Sequence, residues 1–208
     1  MNYTKAQIIE DVRRVIDENA TSIRLDELSD IETLDLNQLI VATICDAAKA
    51  IESAAPLHLL DYTKSLSGAV EIDDGRVAYI DLPSDFMRMA VVNWGHLGRP
   101  IYKFITVDSP QYVEQQNKYV QGTIERPVGA IVMDANVPKL EIYADGITQE
   151  GLQRIGDYVP IPAFEGDQID LCSRCYRSII YRCAGMVLVI YKDNNAENLL
   201  KISESILI

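Results

Sequence analysis

Val70-Glu71-Ile72-Asp73-Asp74-Gly75-Arg76-Val77-Ala78-Tyr79-Ile80 is the stretch on which the fold class turns. Two short runs of β-type residues flank Asp73-Asp74-Gly75, a hairpin signal in which glycine supplies a positive φ. From here to about residue 165 the chain reads as strands, over 87–94, 101–107, 128–133 and 140–144, with 158–162 as a weaker edge. One helix interrupts them over 111–121. Ser109 caps it, Pro110 takes the first turn and Gly122 closes it.

On either side the apolar period is helical. Thr4-x-x-Gln7 is a capping box that opens a helix whose stripe is Ile8, Val12, Val15 and Ile16. Asp35-x-x-Gln38 reads as a second start, leading through Leu39, Ile40, Ile44, Ala47, Ala48 and Ile51 to a stop at Pro56. Small residues along this second helix let neighbours approach closely. Downstream, Asp167-x-x-Asp170 places carboxylates at an expected helix start. That helix carries Cys172, Cys175, Ile179, Cys183, Met186 and Ile190 on one face and breaks at Lys192-Asp193-Asn194-Asn195. A final helix over 196–207 is apolar and either folds back or projects into a partner. The expected fold is therefore α+β: a helical bundle from residues 1–65 and 166–208 with an inserted antiparallel β subdomain, 66–165.

The 208 residues carry 19 basic and 31 acidic side chains, a formal charge of −12. Residues 1–65 hold 6 basic against 12 acidic groups, residues 66–150 hold 7 against 12, and residues 151–208 hold 6 against 7. The C-terminal quarter is thus nearly neutral. Such acidity excludes a sequence-independent nucleic-acid clamp or an anionic-membrane binder, since both need surplus Lys and Arg. It leaves two readings open, plain solubility or a surface that must not adhere to a polyanion. The charged first turns lack the apolar core of a secretory leader, and no apolar run reaches the 18 or so residues that span a bilayer. No membrane partner and a cytoplasmic site of synthesis are expected.

Chemistry is sparse. Cys172-x-x-Cys175 is half a zinc site without its other half, because Cys183 falls at the wrong spacing and His58 and His96 are isolated. Helical spacing favours buried thiols over a metal or redox role for these three and Cys45. No phosphate loop, calcium loop or nucleophile signature occurs. Asp81, Asp85, Glu125 and Asp134 offer carboxylates, but any acidic chain does. Catalytic, cofactor-binding and metal-binding residues are all expected to be absent, and so is enzyme activity.

Eleven of the 15 aromatic residues are tyrosine. Tyr79, Trp94, Tyr102, Tyr112 and Tyr119 fall in the β zone, where tyrosine serves either half-buried strands or a surface that becomes covered by another chain. With Leu199, Leu200, Ile202 and Ile206 of the last helix, they are the candidate interface residues.

The string Leu82-Pro83-Ser84-Asp85-Phe86-Met87-Arg88-Met89-Ala90-Val91 is followed by Arg99-Pro100 and Ser109-Pro110-Gln111-Tyr112. Asn117-x-Tyr119-x-x-Gly122 and Arg126-Pro127 complete the set. In these motifs and in its order of elements, the chain resembles the head-to-tail adaptor (connector ring) proteins of tailed bacteriophages, particularly those of short-tailed crAss-like phages and related Bacteroides prophages. The resemblance implies a structural virion protein, assembled in the bacterial cytoplasm as a homo-oligomeric ring of about twelve copies. It implies a portal protein on one side, further neck or tail ring proteins on the other, and DNA only as cargo passing through the channel. A tail hub or stopper ring, or an unrelated soluble enzyme or ligand-binding protein, are the alternatives.

Overall fold

The computed structural model describes residues 1–19, 30–61, 63–95, 97–134, 137–148 and 154–207, with residues 30–35 as backbone alone. In chain order the elements are β1 (Asn2–Thr4), α1 (Lys5–Asn19), α2 (Asp30–Ala54), a 3-10 turn (Leu57–Leu59), β2 (Lys64–Leu66), β3 (Val70–Asp73), β4 (Val77–Asp81) and β5 (Phe86–Val92). There follow β6 (Phe104–Thr106), α3 (Pro110–Gln115), β7 (Val128–Asp134), β8 (Val137–Tyr143), β9 (Gly156–Pro160), β10 (Phe164–Glu165), β11 (Gln168–Asp170), α4 (Tyr176–Ile190) and α5 (Ala196–Ser205). The protein is α+β, with three mostly antiparallel sheets among the described residues. It divides into two compact units, Met1–Tyr62 with Ile161–Ile208, and Thr63–Pro160.

In the first unit α4 packs against α1, α2 and α5. Its Ile179, Cys183, Ala184, Val187 and Leu188 are buried, as are Ile8, Val12 and Ile16 of α1 and Ile40, Ile44, Ala47 and Ala48 of α2. Each fully buried Ile or Leu contributes about 1.5–3 kcal/mol. The capping box of α1 is made in both directions, Gln7 N donating to Thr4 Oγ1 at 3.3 Å and Thr4 N to Gln7 Oε1 at 3.1 Å. The C-terminal helix folds back. Gly185 permits it, since a Cβ there would lie 2.8 Å from Leu200 Cδ2, and Arg182 pairs with Glu204 at 3.0 Å.

Three sequence expectations fail in this unit. Asp35 lies inside α2, which already runs at Asp30; a capping residue marks a helix start only where the backbone before it leaves the helical region. Asp167-x-x-Asp170 is not a helix start. Gly166, at φ 66°, turns β10 into β11, and β1 adds on the other side of β11 with Tyr3 opposite Ile169. The unit is thus not helical throughout. Because α4 begins only at Tyr176, Cys172 and Cys175 stand in the turn before it.

The second unit holds a five-stranded sheet in the order β3-β4-β8-β7-β6 and a three-stranded sheet β2-β9-β5. Asp74 (φ 48°) and Gly75 (φ 67°) make the expected hairpin turn between β3 and β4. The two sheets share one core, with Ile80, Leu140 and Ile142 from the larger and Leu66, Met89, Val92 and Tyr158 from the smaller. Asp85 ties the small sheet together, accepting from Lys64 Nζ and from Tyr158 OH, both at 2.8 Å. The sheet is not wholly antiparallel: β6 and β7 run parallel, because the chain crosses over through α3 between them. Nor is the 158–162 segment an edge. As β9 it is the central strand, and Gly156 allows it, since a Cβ there would lie 2.2 Å from Val91 O.

Two consequences are testable. Gly156→Ala forces β9 away from β5 and should cost about 3 kcal/mol or more in chemical denaturation, a value far above that of an ordinary strand glycine. Glu52, 2% exposed, accepts the Cys172 N–H at 2.9 Å, and burial pushes its carboxyl from 4.5 up to about 7. A folded-state value above the unfolded one gives stability that is complete below pH 4.5 and lost as pH rises through 7. Glu52→Gln should remove this slope, so that the variant gains about 3 kcal/mol relative to wild type between pH 4 and pH 8.

Candidate assembly surfaces

Ser109 Oγ accepts from Gln111 N at 3.3 Å, and Pro110 fills the first turn of α3, so the helix begins where its punctuation places it. It ends early, at Gln115 rather than near Gly122. Its inner side is clasped to β8. Tyr112 OH and Tyr143 OH both donate to Glu141 Oε2, at 3.1 and 2.6 Å, and Gln116 Nε2 donates to Tyr143 OH at 3.1 Å. Burial and then the Glu141 bond hold the Tyr143 phenol far above its ordinary value. Gln115 Oε1 accepts Gly122 N at 2.8 Å, and Gly122 has no room for a Cβ, which would fall 2.3 Å from Tyr143 O. The clasp is polar because a carboxylate under a helix must be matched by donors.

With the inner side occupied, the apolar residues left over point outward. Val113, Tyr119 and Val120 are 69%, 84% and 58% exposed. Val113 stands on α3, and the loop that presents Tyr119 and Val120 is tightly turned. Asn117 Oδ1 accepts from Tyr119 N at 3.1 Å, and Asn117 O accepts from Val120 N at 2.9 Å and Gln121 N at 3.0 Å. Lys118 Nζ lies 5.0 Å from the Tyr119 ring centre. A large aromatic on a pre-formed loop loses little freedom when covered, which is the property of an interface anchor.

The first unit presents a second apolar surface. A groove of about 600 Å³ is lined by Ala42, Thr43 and Asp46 of α2, Met186, Val189 and Ile190 of α4, and Leu200 of α5. Val189 and Ile190 are exposed, although the helical period alone would place Ile190 with the core.

The sequence candidates scatter. Tyr119 and Tyr102 are exposed, and Tyr102 lines a cleft of about 280 Å³ whose cation, Arg154, is already held by Asp157 at 2.6 Å. Tyr112 and Tyr79 are half-buried around Glu141, burial and then that carboxylate raising the Tyr79 phenol. Trp94 (3% exposed) and Leu199 (1%) lie within the cores of their own units and offer no face to a partner. Leu200 borders the groove, Ile202 is exposed and Ile206 is half-buried. Val113, Tyr119 and Val120, with Tyr112 the apolar anchors expected of a 111–121 helix, are exposed instead, because the helix ends at Gln115 and only Tyr112 turns inward to Glu141; Val189 was not singled out from the sequence.

Among the described residues no cluster of His, Cys, Asp or Glu could hold a metal ion; His58 is exposed and His96 lies outside them. Cys172, Cys175 and Cys183 are buried thiols and Cys45 is half-buried. Asp81 and Asp134 both face Lys139, at 3.8 and 2.8 Å. For Asp85, burial raises the carboxyl, but the Lys64 and Tyr158 hydrogen bonds outweigh it and hold the group below the usual range. These contacts account for Asp81, Asp85 and Asp134 as ion pairs, and Glu125 is exposed. No described helix is long and apolar enough to cross a membrane.

Tyr143→Phe should remove the shortest bond of the clasp and leave Gln116 without its acceptor. A loss of about 2 kcal/mol in urea denaturation is expected, with the exposed loop becoming sensitive to proteolysis. No protein-family model matches the chain, and no curated protein is similar to it in sequence.

Proposed function

We propose that the protein is a structural subunit of a tailed-phage neck, a head-to-tail adaptor that closes into a ring beneath a portal protein and around the DNA channel. In this reading the unit of Met1–Tyr62 and Ile161–Ile208 is the bundle, and Thr63–Pro160 is the inserted β subdomain. The observation that carries it is the Tyr119 loop, an aromatic and a valine held outward by internal hydrogen bonds, with exposed Val113 of α3 in the same segment. A chain of 208 residues has no reason to maintain such a loop in water unless a neighbour covers it. The apolar groove on the other unit supplies a second, different surface. Two unlike surfaces on one chain are what a head-to-tail interface needs, and a rotation that closes makes a ring.

The charge supports the same function. At −12 per copy, a ring would present few cations to the polyanion it conducts, and each cation omitted is one less phosphate contact to slow transit. Other neck or tail rings meet the same requirements and differ in position, so the test must read position as well as stoichiometry.

Native mass spectrometry and negative-stain microscopy of the full chain, alone and mixed with the portal protein of the genome that encodes it, test the proposal. The expected result is a closed ring of about twelve copies docked on the portal. A species that stays monomeric in both samples overturns it. Tyr119→Asp should keep the fold, read by circular dichroism, and weaken assembly by about thirtyfold or more, the cost of removing an interface anchor.

A further inference from the structure

Cys172-Ser173-Arg174-Cys175 forms the turn that leads into α4. Cys175 N donates to Cys172 O at 3.1 Å, so the turn is closed and its end Cα atoms lie within about 7 Å. That falls against the window of about 4.4–6.8 Å in which a disulfide can form without moving the backbone. The two thiols perturb one another, Cys172 being drawn down and Cys175 pushed up by its neighbour. Behind the pair stands Glu52, whose Oε1 holds the Cys172 backbone N–H at 2.9 Å and whose side chain is almost wholly buried. Two thiols in one turn with a buried carboxylate beside them are more than a core requires, because Cys183 serves the same core alone.

Residues 57–61 cover the Cys172 end of the turn. Cys172 Sγ donates to Leu59 O at 2.9 Å, so this carbonyl stands against the sulfur. Three polar contacts clip the cover shut. Arg174 Nη1 donates to His58 O at 3.0 Å, Ser173 N donates to Asp61 Oδ1 at 3.2 Å, and the Ser173 hydroxyl donates to Asp61 Oδ2. His58 and Asp61 are themselves exposed, and exposed polar clips open locally far more often than a core does.

We propose that Cys172 and Cys175 are a peroxide-responsive dithiol, closed to a disulfide within this turn, with Glu52 taking the proton from Cys175. With the turn closed, the neighbouring Cys175 thiol and then the Asp61 backbone outweigh burial and draw Cys172 down to about 6, so its thiolate is populated at neutral pH. When residues 57–61 lift, peroxide reaches that sulfur. The thiolate attacks one oxygen of hydrogen peroxide, breaking the O–O bond, forming Cys172 sulfenic acid and releasing hydroxide. Glu52 accepts the Cys175 proton, and the Cys175 sulfur attacks the Cys172 sulfur and expels the second oxygen, which leaves as water with the proton carried by Glu52. Two thiols are oxidised by two electrons, and one peroxide becomes two waters. Cys175, raised by its bond to Cys172 and by burial, is the resolving thiol and not the attacking one. Cys183, pushed by burial up to about 12, stays inert. This inference is independent of ring assembly.

Peroxide treatment of the folded full chain at neutral pH, followed by alkylation in denaturant and peptide mapping, tests it. The expected product links Cys172 to Cys175 and leaves Cys45 and Cys183 alkylatable. Cys175→Ser should stop at a Cys172 sulfenic acid that dimedone traps, and Cys172→Ser should leave the turn unoxidised. Asp61→Ala, which unclips the cover, should speed oxidation about tenfold. Glu52→Gln should slow disulfide closure by at least about tenfold, so that the sulfenic acid accumulates. Oxidation of Cys45 before Cys172, or a folded wild-type chain that forms no Cys172–Cys175 link, overturns the proposal. Should a cysteine variant fail to fold, the wild-type peptide map and the Asp61→Ala rate decide.

Discussion

Helix α4 is apolar around most of its circumference, and an apolar surface that wide has to be covered from several directions at once. That requirement organises the whole of the first unit. α1 and α2 take two sides, and α5 must fold back to take a third, which Gly185 permits by having no side chain between the helices. The backbone immediately before α4 is recruited as well. β11 leads into it, β1 and β10 pair with β11, and the stacked rings of Tyr3 and Tyr176, 3.9 Å apart, join strand to helix. Only the last turn of α4 escapes cover, and there Val189 and Ile190 line the groove.

The second unit is governed by close approach in place of bulk. β9 has a neighbour on each side, and it fits only because Gly156 presents no Cβ to Val91 O. On the larger sheet, Glu141 is a carboxylate beneath a helix, and the hydroxyls of Tyr112 and Tyr143 answer it. Of the tyrosines that look like interface residues, Tyr112 is accounted for in this way: its polar tip serves a local carboxylate. Tyr102 and Tyr119 keep exposed rings, that of Tyr119 flanked by the ammonium of the adjacent Lys118.

The same distinction separates the cysteines. Four thiols at roughly helical spacing look alike as core residues. Once Cys172 and Cys175 are moved out of the helix and into the turn before it, they acquire backbone geometry, a neighbouring carboxylate and, at Cys172, a contact to Leu59 that Cys183 lacks. A two-residue hairpin at Gly166-Asp167 causes the shift, and the acidic pair Asp167 and Asp170 disguised it as a helix start. Acidic residues favour helix N-termini and tight turns alike, so composition could not choose between them.

By itself the sequence determined the α+β class, the hairpin at Asp74-Gly75, the capping box at Thr4 and Gln7, the start of α3 at Ser109-Pro110, and the break after α4. All of these depend on backbone preferences or periodicities spanning a few residues. Tertiary structure alone decided that β9 is central, that β6 and β7 run parallel, that α5 folds back, and which tyrosines remain uncovered. Those outcomes depend on what lies across the chain: the carbonyl of Val91 opposite Gly156, the carboxylate of Glu141 under Tyr112, the side chain of Leu200 over Gly185. A local pattern can say that a residue is apolar or small. Which neighbour it meets is settled only when segments far apart in the chain compete for the same space.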